Sequence, residues 1–88
     1  MIEIDEIEKK VKSIFADRLD MPEEEIRSSS SLRDDLGVDS YGMIEIALDL
    51  EGAFHINIMK DRGVFPRIKT VRDAAEYIKK KLCGNKLE

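Results

Sequence analysis

Asp35-Leu36-Gly37-Val38-Asp39-Ser40-Tyr41, running into the apolar repeat from Ile44 to Phe54, decides how this 88-residue chain folds. Gly37 lacks a Cβ and takes positive φ without a clash, so it predicts a tight turn. Asp39 and Ser40 are both residue types that cap helix N-termini, and the apolar repeat starts right behind them. The pattern predicts a helix from Ser40 to about Ala53, with the Ser40 hydroxyl in solvent at its start or one residue inside. Unpaired backbone N–H groups and the helix dipole favour negative charge there, which suits a phosphate ester on Ser40. Capping alone also accounts for a serine in this place.

Along the predicted helix, spacings of four direct Ile46, Leu50 and Phe54, with Ile44, toward a core. Met43, Ala47 and Leu48 fall on the flank, with Glu45, Asp49 and Glu51 around them. Upstream, residues 23–38 form a long connection. Glu23-Glu24-Glu25 is expected to make one helical turn behind Pro22, with Ile26 as its core contact. Ser28-Ser29-Ser30-Ser31 reads as flexible surface loop, pinned by Leu32 and Leu36. Before it, Ile4, Ile7, Val11, Ile14 and Phe15 recur at helical spacing, with acids ahead of lysines, and predict an amphipathic helix over about 3–18. Pro22 biases its predecessor away from helical angles and ends that stretch. Downstream, 55–69 is irregular, and Gly63 and Pro66 keep any helix there short. Thr70-Val71-Arg72-Asp73 is a capping-box start for a final helix with a stripe at Val71, Ala74, Ala75, Ile78 and Leu82. Lys79, Lys80 and Lys81 suit its C-terminal end, and Gly84 is its expected stop.

The totals bound the answer. A chain of 88 residues, 42% hydrophobic and without tryptophan, is one small domain, placed here at 1–84. Residues 85–88 are expected to be a disordered tail or a cloning remnant. No window is apolar for the 18 or so residues of a membrane span, and the acidic start has no signal-peptide pattern, so a cytoplasmic monomer is expected. A single cysteine, Cys83, permits no internal disulfide, and with a single histidine, His55, it cannot build a zinc site, so no metal is expected. Net charge is −5 over 1–38, −4 over 39–54 and +5 over 55–88, an asymmetry that suggests partners reading charge. The acidic helix at Ser40 and a pI near 5.1 weigh against nucleic acid as a partner. No base stands beside Ser40 in sequence to activate it, so the chain reads as a substrate and carrier and not as an enzyme.

Leu36-Gly37-Val38-Asp39-Ser40 resembles the Leu-Gly-x-Asp-Ser attachment motif of the acyl carrier protein family. Ser31-Leu32 and Asp35 upstream, Glu45 and Phe54 downstream, and Thr70-Val71, Ala74-Ala75 and Tyr77-Ile78 in the last helix match the family's surroundings. The likeness runs from about Ile4 to Leu82. It implies an all-α fold, a small four-helix bundle with a long first loop and a short or irregular third helix. It implies phosphopantetheine on Ser40, transferred from coenzyme A by a holo-acyl-carrier-protein synthase, with Asp39 helping to hold magnesium and to guide the transferase during attachment. The arm's thiol would carry acyl groups of fatty-acid, lipid or related specialised biosynthesis as thioesters. Ile44, Leu50, Phe54 and Ile68 would line the acyl space. Tyr41, Met43, Glu45, Leu48, Asp49 and Glu51 would meet basic acyl-loading and acyl-processing enzymes.

Three departures point to a specialised carrier. Tyr41 replaces the family's usual leucine, Gly42 and Gly52 lie inside a helix, and the stretch between Ile58 and Ile68 is longer and basic where the fatty-acid type is acidic. That stretch is expected to disfavour general fatty-acid enzymes. The alternative is a helical interaction subunit of the same fold that does not use the prosthetic group.

Overall fold

Among the described residues three amphipathic helices form, because each has apolar side chains recurring at helical spacing and cannot bury them alone. In a computed structural model, residues 3–58 and 68–84 are described. Helix α1 spans Ile4–Leu19, α2 spans Ser40–Phe54 and α3 spans Val71–Gly84, with a short 3-10 turn at Glu23–Glu25. Among the described residues there is no strand, only an isolated antiparallel bridge between Ser31 and Thr70. The fold is a small all-α bundle, as expected. The place of the expected short third helix, 59–67, and the tail 85–88 lie outside the described residues.

Helix α1 packs chiefly on α3 and also on α2. Ile7, Val11 and Phe15 from α1 meet Ile46 and Leu50 from α2 and Val71, Ala74, Ala75 and Ile78 from α3 in one core. The two alanines on α3 let its backbone approach its neighbours. Helix α1 ends before Pro22 acts: Asp20 adopts the left-handed conformation at φ 56°, and its N–H bonds the Ala16 carbonyl. His55 ends α2 in the same way at φ 57°, bonding Glu51. Aspartate and histidine are among the non-glycine residues that tolerate this region. The expected capping box opens α3, since Asp73 N–H bonds Thr70 Oγ1 at 3.1 Å and Thr70 N–H bonds Asp73 Oδ2 at 3.2 Å.

The serine run is structural and not a flexible surface loop. Ser30 is buried and its hydroxyl accepts from Arg27 N–H. The carbonyls of Ser28 and Ser30 accept the N–H groups of Arg72 and Val71, tying the loop to the start of α3. The Ser28 hydroxyl donates to Glu8, a buried carboxylate on α1 that also meets Arg72 Nη1 at 3.3 Å and Lys12 Nζ at 3.8 Å. Burial pushes the Glu8 carboxyl up, but these hydrogen bonds and charges together outweigh it and hold the group below its ordinary pKa. One acid therefore joins α1, the long loop and α3.

Candidate functional site

The loop ahead of α2 closes on itself before presenting Ser40. Asp35 Oδ2 accepts from Ser31 N–H at 2.7 Å, the Ser31 carbonyl accepts from Leu36, and Val38 N–H bonds the Leu32 carbonyl at 2.7 Å. Gly37 sits at φ 70°, where a side chain would be strained. Val38, 4% exposed, is a core anchor beside Leu32; its place inside the polar motif hid that role, and an apolar residue just before an N-cap was the available signal.

Asp39 is the N-cap of α2, with its Oδ1 accepting from Gly42 N–H at 2.7 Å. Ser40 is the first helical residue and exposed, and among the described residues its hydroxyl makes no hydrogen bond. Gly42 is explained by this cap. A Cβ there would stand 3.2 Å from both Asp39 Oδ1 and Val38 Cγ1.

An open cleft of about 410 Å³, lined by residues that include Leu32, Arg33, Val38, Met43, Ile68 and Lys69, touches the chain two residues before Ser40 at Val38 and three after it at Met43. Deeper in, Leu50, Ile68 and other apolar side chains from all three helices surround a void of about 20 Å³, close to the size of one water-sized probe. Leu32, Met43 and Ile68 line both spaces and stand between them. Of the residues expected to line an acyl space, Leu50 and Ile68 border the inner void. Ile44 does not: it is 38% exposed, and Met43 faces inward in its stead. The inward face follows positions 43, 46, 47, 50 and 54, an i, i+3, i+4, i+7 series, and Ile44 cannot share it with Ile46. Phe54 is half-buried outside both spaces, with Lys10 Nζ 5.3 Å from its ring centroid.

The outward face of α2 carries Tyr41, Ile44 and Leu48, at 69%, 38% and 52% exposure. The expected acids surround this strip but are not free. Arg18 of α1 donates Nε and Nη2 to the Asp49 carboxylate, which holds the guanidinium above its ordinary pKa, and its Nη1 lies 3.9 Å from Glu45. Glu51 Oε2 accepts from Ile58 N–H at 2.7 Å, fixing the turn after α2. Sequence reasoning missed Arg18, whose partners Glu45 and Asp49 lie 27 and 31 positions away.

An exposed, unbonded hydroxyl at a helix start can take a phosphate ester without disturbing the core, and Val38 and Met43 on either side of it in the chain line an open cleft. The residues present therefore fit a phosphopantetheine group.

Comparison with known proteins gives the same direction. The family described as "Phosphopantetheine attachment site" matches residues 9–78. The chain is 37% identical over 78 residues to an acyl carrier protein of Thermotoga maritima, covering 89% of this chain and 94% of that one. It is 38% identical over 77 residues to an acyl carrier protein of Porphyromonas gingivalis, covering 88% and 96%. A solution structure of the apo doublet acyl carrier protein from prodigiosin biosynthesis superposes with a TM-score of 0.70 at 30% identity, covering 88% of this chain and 36% of that one. With the family matched across most of its length and the attachment motif seated at a helix start, this chain belongs to the phosphopantetheine-attachment family of acyl carrier proteins.

Proposed function

We propose that Ser40 is the attachment residue and that the chain carries acyl intermediates as thioesters for the enzymes of one biosynthetic pathway. The observation that supports this best is the free, exposed Ser40 hydroxyl at the first position of α2, held there by the Asp39 cap. The Ser40 oxygen forms the new phosphoester bond as the pyrophosphate linkage of coenzyme A breaks and adenosine 3′,5′-bisphosphate leaves; the hydroxyl proton goes to a base of the transferase, since among the described residues no side chain is hydrogen-bonded to that hydroxyl. The bound group supplies a thiol on a flexible arm. Asp39 is assigned a second role, holding magnesium during attachment and guiding the transferase, compatible with an exposed carboxylate whose other oxygen is not used in the cap.

The chain acts as a carrier and not an enzyme, and its partners are a holo-acyl-carrier-protein synthase and the acyl-loading and acyl-processing enzymes. They dock on α2 around Tyr41, Ile44 and Leu48. The cleft lined by Val38 and Met43 and the narrow void beyond Met43 receive the acyl group, which must push Leu32, Met43 and Ile68 apart to enter. No described helix is long and apolar enough to cross a membrane. The test is to offer the modified protein a series of acyl donors with a loading enzyme and follow hydroxylamine-cleavable mass gain. An interaction subunit of the same fold would gain none.

A further inference from the structure

The acids of α2 that lie nearest its exposed strip are held by a residue of another helix. Arg18 grips both oxygens of Asp49, at 2.8 and 2.9 Å, and reaches to 3.9 Å from Glu45. The side chains are open to solvent, 39% for Arg18, 31% for Asp49 and 37% for Glu45. An exposed group of this kind adds little to folding. It does place a fixed cation against the carboxylates that a basic enzyme surface would seek.

We propose that Arg18 is a built-in competitor for the α2 carboxylates and selects partners that bind through the apolar strip over partners that bind through lysine and arginine. The proposal rests on α2 being the docking face. A partner's cation approaching Asp49 meets the charge of Arg18 and must displace a bidentate pair, the stronger of the carboxylate geometries. A partner that covers Tyr41, Ile44 and Leu48 with apolar side chains leaves that pair in place. With Asp39 turned to its own helix and Glu51 to Ile58, no acid of α2 is left without an internal contact. Arg18 is thus a specificity residue placed one helix away from the surface it governs.

The experiment measures loading of the whole protein by a phosphopantetheinyl transferase with a basic docking face, using coenzyme A and intact mass. Wild type, Arg18→Gln and Arg18→Lys are compared at about 0.02 M and about 0.5 M salt, where screening lengths differ several-fold. Arg18→Gln is expected to raise kcat/KM about 2–5-fold at low salt, the effect of one like charge at contact to near-contact distance in water. The gain should nearly vanish at high salt, and Arg18→Lys should show less than half of it. If Arg18→Gln melts early, Arg18→Met, which keeps aliphatic length without charge, bears the same expectation. No gain at low salt, an equal gain at both salts, or a full gain with lysine overturns the competitor role. A wild type that never gains the group overturns the carrier reading and this inference with it.

Discussion

Replacing Glu8 by glutamine removes one charge from the junction of α1, the long loop and α3 while keeping its shape. The cost can be worked from the contacts. The Ser28 hydroxyl donates to a carboxylate that is 7% exposed, and a bond to a charged group contributes about 1.5–3 kcal/mol against about 1 kcal/mol for a neutral one. Arg72 at 3.3 Å is 42% exposed on its side chain, so that pair is screened and adds little, and Lys12 at 3.8 Å adds less. The expected loss is about 1–2 kcal/mol at pH 7, or a fall in Tm of about 5–12 °C for a domain of this size. The folded carboxyl lies below its ordinary 4.5, so its contribution is complete above that pH and is lost as pH falls through the lower folded value. Glutamine does not titrate. Urea titrations of both proteins from pH 7 to about pH 3 should therefore show the gap closing below pH 4.5. A gap that stays constant over that range, or a variant as stable as the parent at pH 7, would refute the reasoning.

Gly52→Ala should stabilise by about 0.5–1 kcal/mol, because a Cβ there meets nothing within 4 Å, whereas Gly42→Ala should gain nothing against its two contacts at 3.2 Å. Thermal melts of the pair decide it; equal shifts would show that the crowding at Gly42 is of no consequence. Asp39→Ala should cost about 1 kcal/mol through the lost cap, read by urea titration, and should slow loading at Ser40 beyond what stability explains. Glu51→Lys should cost about 1–2 kcal/mol by orphaning Ile58 N–H, while Glu45→Lys should stay within about 0.5 kcal/mol, as measured by urea titration.

The helices were legible because each repeats apolar residues at helical spacing, and α2 and α3 also open on recognisable caps, whereas α1 starts at Glu3 without a side-chain cap. Asp39 and the Thr70–Asp73 box are local signals, complete within four residues. Which way α2 faces was less legible. Ile44 and Met43 are adjacent and both apolar, and only the whole series 43, 46, 47 and 50 turns Met43 inward, where it borders the inner void with Leu32 and Ile68. The serines at 28–31 look like loop because their partners, Glu8 on α1 and the N–H groups of Val71 and Arg72, are remote in the chain. The α2 acids look free for the same reason. Charge counts along a sequence cannot show that Arg18 stands beside Asp49.

The central claim is that Ser40 alone receives the prosthetic group. Intact mass of the wild type and of Ser40→Ala, each incubated with coenzyme A and a broad-range phosphopantetheinyl transferase, tests it most directly. The account predicts a gain of one phosphopantetheine for the wild type and none for a folded alanine variant. A wild type that stays unmodified, or an alanine variant that is modified, would contradict it.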